Sequence, residues 1–259
     1  MNSHASLAEI LRQYKKGLLQ LKEAEERIEG LRIEKIGSFA CLDLGRSVRC
    51  GMPEVVLAEG KEIGQLTEII RSFVTATGRC IATRVTSEQA ALIRTACHAE
   101  GIECEYHTVP RTLVAYRDPP MEKHGGVVGI ITAGTADIRV AEEARIIAEE
   151  MGCEVRVAHD VGAAGIHRLF PAMKDLLGSH VIIVAAGREG TLPSVVAGLV
   201  DIPVIGVPVS TGYGYMGKGE AALASMLQSC SVLTVVNIDA GFTAGAFAAR
   251  IARTVTLHE

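Results

Sequence analysis

The stretch "VIIVAAGREGTLPSVVAGLVDIPVIGVPVSTGYG", residues 181–214, decides the fold. It opens on a branched aliphatic run, Val181 to Val184, passes a glycine loop at Gly187 to Gly190, and returns to a second apolar run, Val204 to Val209. Neither run alternates apolar with polar residues. A strand with one wet face alternates, whereas a strand covered by helices on both faces is apolar throughout. The segment between, "TLPSVVAGLV" at 191–200, reads as the helix of a parallel crossover. The stretch is therefore strand, helix, strand.

The same texture extends in both directions. "GVVGIITAGT" reads as strand, "ADIRVAEEARIIAEEMG" as helix, "CEVRVAHDVG" as strand and "AGIHRLFPAMKDLLG" as helix. After the opening stretch come a helix, "GEAALASMLQS", a strand, "VLTVVNI", and a last helix, "GFTAGAFAARIART". Regular alternation of buried strands and helices predicts a three-layer, doubly wound parallel α/β sheet. Upstream, "YRDPPMEKHGG" is a Pro/Gly connector, and it sets the expected boundary between residues 1–122 and 123–259. Residues 1–122 are more charged. An amphipathic helical segment carries Leu7, Ile10, Leu11, Tyr14, Leu18 and Leu21. A smaller α/β domain follows: strand "EVVLAEG", helix, strand "RCIATRV", helix, strand "ECEYHTV". Its second helix has Thr86 or Ser87 as N-cap, with Glu88 or Gln89 beside it, and Gly101 as C-cap.

Bulk composition narrows the function. With 48% hydrophobic residues in 259, a sizeable core is available, and 4% aromatic content with no Trp makes that core aliphatic. Lys plus Arg number 26 against 30 Asp plus Glu, a net charge of −4 with no basic block, which argues against a nucleic-acid partner. No apolar run reaches the ~20 residues of a membrane span, and the N-terminus has no secretory apolar core. Seven cysteines, an odd number without regular spacing or a CxxC pair, fit a reducing cytoplasm rather than a disulfide framework or a structural zinc site.

Ligands of doubly wound sheets bind at the carboxyl ends of the strands. Here those ends read "TAGT" (132–135), "AHDVGAAG" (158–165), "AAGREGTLPS" (185–194), "VPVSTGYGYMGKG" (207–219) and "NIDAGFTAG" (237–245). Small residues before a helix let backbone N–H groups approach an anion, although tight strand-to-helix turns need glycine for their own sake. None of the loops is a Walker A motif, since Lys218 is followed by Gly, and "GTADIRVAEEA" after the first strand is not GxGxxG. Asp137, His159, Asp160, Arg188, Glu189 and Asp239 all fall at strand ends, where a charge costs desolvation unless it is paired or used. Glu189 leads into a helix and reads as a cap, a base or a Mg²⁺ ligand. His159 and His167 do not have metal-ligand spacing, and His167 reads as a helix-surface group. Cys230 ends a helix before a strand and reads, on the residues alone, first as a small buried thiol and only second as a nucleophile.

Residues 181–214 resemble the glycine-rich core of the PurE family, which comprises aminoimidazole ribonucleotide carboxylases and N5-carboxyaminoimidazole ribonucleotide mutases. The matches are Leu192-Pro193, "PVIGVP" at 203–208, and His159 in "VAHDVG". Asp160 stands where PurE carries Arg, Thr191 where it carries His, and PurE lacks an extension like residues 1–122. A resemblance over nearly the whole chain is to the PurE-like LarB family. It rests on "LDLGRSVRCGMPEVVLAEGKE" (42–62), "ATRV" (82–85), "ITAGTADIRVAEEA" (131–144), "AHDVGAAGIHRL" (158–169), "AAGREGTLPSVVAGL" (185–199), "STGYGYMGKGEAALASMLQSC" (210–230) and "VVNIDAGFTAGAFAA" (235–249).

LarB resemblance implies a carboxylase and hydrolase acting on nicotinic acid adenine dinucleotide with CO₂ or bicarbonate. The products are AMP and pyridinium-3,5-biscarboxylic acid mononucleotide, the first step of nickel-pincer nucleotide synthesis. It implies Mg²⁺, a covalent cysteine carried over to Cys230, and downstream sulfur-transfer and nickel-insertion enzymes. PurE resemblance implies a homo-oligomer, commonly an octamer. Glu189, His159 and Asp137 are the candidate bases. Thr135, Arg188, Gly190, Ser210, Thr211, Gly212, Lys218 and Asp239 are candidate substrate contacts, and Glu189 and Asp160 candidate Mg²⁺ ligands. Arg46, Arg49 and Lys61 read as contacts to the adenosine or phosphate side or as solvated surface charges. The other readings are a PurE-type carboxylase or mutase and a non-catalytic nucleotide-binding protein.

Overall fold

The computed structural model describes residues 7–119 and 122–257. They divide into two compact units, one holding 7–107 and 111–119, the other 108–110 and 122–257.

The first unit begins with two helices, α1 (Leu7–Lys15) and α2 (Leu21–Glu29), where the amphipathic spacing suggests one segment. Gly17 causes the break. Its φ of +71° is left-handed, and the turn closes with bonds from Gly17 N to Tyr14 O and from Leu18 N to Gln13 O. A hairpin, β1 (Ile33–Ile36) with β2 (Ala40–Asp43), and the short helix α3 (Arg46–Cys50) follow; neither strand is evident in the residue pattern. The expected strand–helix alternation is then present as β3 (Val55–Leu57), α4 (Ile63–Thr77), β4 (Arg79–Thr83), α5 (Ser87–His98) and β5 (Glu103–His107). A further strand, β6 (Thr112–Tyr116), returns between β4 and β5 to give the order β3-β4-β6-β5, antiparallel at both of its edges. Thr86 is the N-cap of α5: its hydroxyl accepts from Gln89 N while its own N–H donates to Gln89 Oε1.

The second unit is a five-stranded, all-parallel sheet. Its elements are β7 (Val127–Thr132), α6 (Ile138–Glu150), β8 (Glu154–Ala158), α7 (Leu169–Asp175), β9 (Val181–Ala186), α8 (Thr191–Ala197), β10 (Val204–Pro208), α9 (Glu220–Leu227), β11 (Thr234–Val235) and α10 (Gly241–Thr256). A 3-10 stretch, Ala163–Arg168, precedes α7 within the segment expected to be one helix. The order β11-β10-β9-β7-β8 reverses direction between β7 and β9. Every residue of β7, β9 and β10 is buried, as their unbroken apolar runs require.

Helices α7, α8 and α9 contribute Leu169, Leu192, Val196, Ala222 and Met226 to the core over one face. On α10, a Cβ at Gly241 or Gly245 would strike the carbonyl oxygens of Val140 or Ala144 on α6. The small residues of α10 therefore serve contact between these two helices.

Candidate functional site at the carboxyl edge

The reversal between β7 and β9 opens a crevice at their carboxyl ends. Asp137, in the turn between β7 and α6, is buried, with 5% of its surface exposed. Its Oδ2 accepts from Gly134 N at 2.9 Å and its Oδ1 from Thr211 Oγ1 at 3.3 Å, and the Gly187 backbone donates to the same carboxylate. Burial nonetheless prevails and pushes the carboxyl above the ordinary aspartate range. Gly187 makes this approach possible: a Cβ there would sit 2.9 Å from both Asp137 Oδ1 and Thr211 Oγ1. Gly212 serves the same end, because its Cβ would lie 2.5 Å from Gly187 O. Three loops, after β7, β9 and β10, thus converge on one buried carboxyl.

A second network lies one strand outward. Asp239 adopts φ +55° after β11 and accepts from Ser210 N at 2.9 Å, Ser210 Oγ at 2.5 Å and Arg139 Nη2 at 3.3 Å. With both oxygens engaged, Asp239 holds the loop after β10 in place.

Beyond β8, His159 Nδ1 lies 3.4 Å from Thr132 Oγ1, and its Nε2 lies 3.8 Å from Glu142. Thr132 Oγ1 accepts from Asp160 N at 3.0 Å, leaving its own proton for the His159 ring. Arg188, exposed after β9, donates to Tyr213 OH at 2.9 Å and lies 4.8 Å from that ring's centroid. Thr135 and Lys218 are exposed at the same edge, and Lys218 holds φ +57° as its N–H bonds to Gly212 O at 3.1 Å.

The geometry bears on three further candidates. Gly190 has φ +67°, and its Cβ would lie 2.5 Å from Ala222 O, so packing against α9 accounts for it. Glu189 and Asp160 are the candidate Mg²⁺ ligands. Asp160 is paired with Arg168 at 2.9 Å, Glu189 is exposed, and among the described residues no three His, Cys, Asp or Glu side chains converge on a common point. Cys230 is exposed and lies in the connection from α9 into β11, at the amino edge of the sheet. Its neighbour Ser231 donates to Ser194 O at 2.8 Å and lies beside Gly198, where α8 ends. The topology thus brings Asp137, Thr211, Gly212, Ser210 and Asp239 together and sets Cys230 at the opposite edge. Gly187, Thr132, Arg139 and Tyr213 belong to the site but were not singled out from the sequence; only the glycine loop around Gly187 carried a signal.

Among the described residues no helix is long and apolar enough to cross a membrane. Residues 33–117 match the LarB/PurE-like N-terminal domain, and residues 127–257 match the AIR carboxylase domain. An uncharacterised protein of Methanocaldococcus jannaschii is 43% identical over 252 residues, covering 96% of this chain and 97% of the relative. An N5-carboxyaminoimidazole ribonucleotide mutase of Pyrococcus horikoshii is 32% identical over 139 residues, 51% of this chain and 75% of the mutase. A phosphoribosylaminoimidazole carboxylase of Schizosaccharomyces pombe is 31% identical over 160 residues, 59% of this chain and 27% of the relative. The crevice at the β7/β9 reversal therefore belongs to an enzyme domain of PurE-related carboxylases, and the chain is a member of the LarB family, with a PurE-like carboxyl-terminal domain.

Proposed function

We propose that the chain carboxylates nicotinic acid adenine dinucleotide at position 5 of its pyridinium ring and hydrolyses the phosphoanhydride. The products are pyridinium-3,5-biscarboxylic acid mononucleotide and AMP. The observation that carries this reading is that one LarB-family chain holds both a buried carboxyl of raised proton affinity at the switch point and an exposed cysteine.

A pyridinium carbon and CO₂ are both electrophiles, so the ring must first be made electron-rich. The Cys230 thiolate adds to position 4, and the ring's π electrons shift to give a dihydropyridine enamine. Position 5 then attacks CO₂, forming the C–C bond. A base removes the proton from position 5, and expulsion of the thiolate restores the aromatic ring. Of the candidate bases Asp137, His159 and Glu189, Asp137 suits the proton best, because its burial raises its basicity toward the working pH. Arg188 and Lys218, both exposed, offer donors to the phosphates and the ring carboxylate.

Strand β10 separates the two edges by five residues, about 16 Å at the usual rise per residue. One ring cannot touch both Asp137 and Cys230 of the same chain. The reading therefore takes Cys230 from a second copy, in keeping with a homo-oligomer, with an octamer as the proposed assembly. Magnesium binds through one or two carboxylates plus substrate phosphates. Its proposed place is on the diphosphate of the incoming dinucleotide, and no step here is routed through it. A cytoplasmic location, and sulfur-transfer and nickel-insertion enzymes as consumers of the product, complete the proposal.

The test is incubation with nicotinic acid adenine dinucleotide, Mg²⁺ and labelled bicarbonate, read by mass spectrometry. AMP together with a labelled dicarboxylated mononucleotide is the expected result. Turnover of a carboxyaminoimidazole ribonucleotide instead would assign the PurE reaction, which the mutase relatives favour as the second reading. Binding without products from either substrate would indicate a nucleotide-binding protein without catalysis.

A further inference from the structure

Three of the seven cysteines pack into the core of the first unit, whereas the residues assigned to catalysis belong to the second. Cys80 of β4 and Cys104 of β5 both pair with Ala115 of the intervening β6. Cross-strand partners project to the same face, so the two thiols flank a methyl group. Cys97 of α5 packs in the same core cluster and is fully buried. The link from α5 to β5 is short and fixed: Gly101 has φ +69°, and Ile102 N bonds to Cys97 O at 3.1 Å. Cys104 packs against the cluster that holds Cys97, and the two thiols perturb each other's proton affinity. Cys104 is partly exposed on an edge strand and gives the pair its access to solvent.

We propose that Cys97 and Cys104 are a reversible dithiol–disulfide site that responds to peroxide. The neighbouring Cys104 thiol lowers the Cys97 thiol below its usual value, and Arg71 adds to this against the opposing effect of burial. Cys97 and burial raise Cys104 in turn. The sulfur that meets hydrogen peroxide attacks one oxygen. The O–O bond breaks, and hydroxide leaves as water with one proton of the pair. The second sulfur attacks the resulting sulfenic acid, forms the S–S bond and expels hydroxide, which takes the second proton. Two thiols and one peroxide become one disulfide and two waters. Cys80 stands apart: it is buried, burial raises its thiol strongly, and two strand spacings, about 9.6 Å, separate it from Cys104.

The experiment treats the reduced full-length protein with one equivalent of hydrogen peroxide. Remaining thiols are then alkylated, and a non-reducing peptide map is read by mass spectrometry. The expected result is a Cys97–Cys104 cross-linked peptide two hydrogens lighter than its parts and lost on adding dithiothreitol. The cross-link is absent from Cys104→Ser and present in Cys80→Ser. Cys97 recovered fully alkylated, or Cys104 joined to another cysteine, would overturn the proposal. The wild-type map decides the matter even where a variant does not fold.

Discussion

At the scale of single residues, Asp137 and Cys230 carry the most consequence. On the proposed mechanism, replacing Cys230 with Ala removes the nucleophile that makes position 5 reactive, so carboxylation should fall by roughly 10³-fold or more, as for other covalent nucleophiles. Survival of carboxylation in that variant would sink the covalent step. Replacing Asp137 with Asn should lower kcat by about 10²- to 10⁴-fold, the range for a positioned base. The same residue makes a prediction about stability. Its folded-state pKa lies above the unfolded value, so the native state holds the proton more tightly. The associated stability is full below the reference value of 3.8 and is lost as pH rises through the raised folded value. The melting temperature of the wild type relative to Asp137→Asn should therefore be highest at acid pH and decline upward through that window. A flat difference across pH would mean that Asp137 is not held protonated. Asp137 was visible in the sequence as a charge at a strand end. Its partners were not, because Thr211 lies 74 residues away and meets it only once β7, β9 and β10 are aligned.

At the scale of elements, apolar texture told more than motif. The runs at 127–132, 181–186 and 204–208 have no alternation, and all three are fully buried central strands. Texture failed where strands are short or lie at a sheet edge. β1 and β2 carry Glu34, Lys35 and Asp43 on a half-exposed hairpin. β6 is different: it is a buried inner strand of five residues whose pattern runs straight into the Pro/Gly connector. The paired helices α6 and α10 give a sharp test. A methyl group at Gly245 meets the backbone of Ala144, which cannot rotate away as a side chain can. Gly245→Ala should cost about 1–3 kcal/mol, read as a lower denaturation midpoint with an unchanged m-value. An unaltered midpoint would mean that the two helices can separate freely. The α5 cap is a milder case: Thr86→Ala removes one half of a reciprocal pair and should cost about 1 kcal/mol.

At the scale of the whole molecule, the sheet itself sets the functional problem. A parallel α/β sheet delivers every strand-to-helix loop to one edge and every helix-to-strand loop to the other. The glycine loops and Asp137 are of the first kind, and Cys230 is of the second. The sequence marked Cys230 through its matched motif but could not say which edge it occupied relative to its partners, since that depends on strand direction. If one copy supplies the thiol and another the carboxyl, Cys230→Ala and Asp137→Asn damage different halves of a shared site. Each variant alone should be inactive as a homo-oligomer. Co-expressed, with different affinity tags and purified through both, they should form mixed assemblies in which some sites join an intact Asp137 crevice to an intact Cys230. Activity should then return to a fraction of the wild-type value, up to about one quarter of sites where subunits mix at random and each site draws one residue from each of two copies. The two variants mixed after separate purification, without subunit exchange, should stay inactive. Mixed assemblies as inactive as their parents would place both residues in one chain's site, and the topology allows that only if the connection from α9 to β11 rearranges to reach the carboxyl edge.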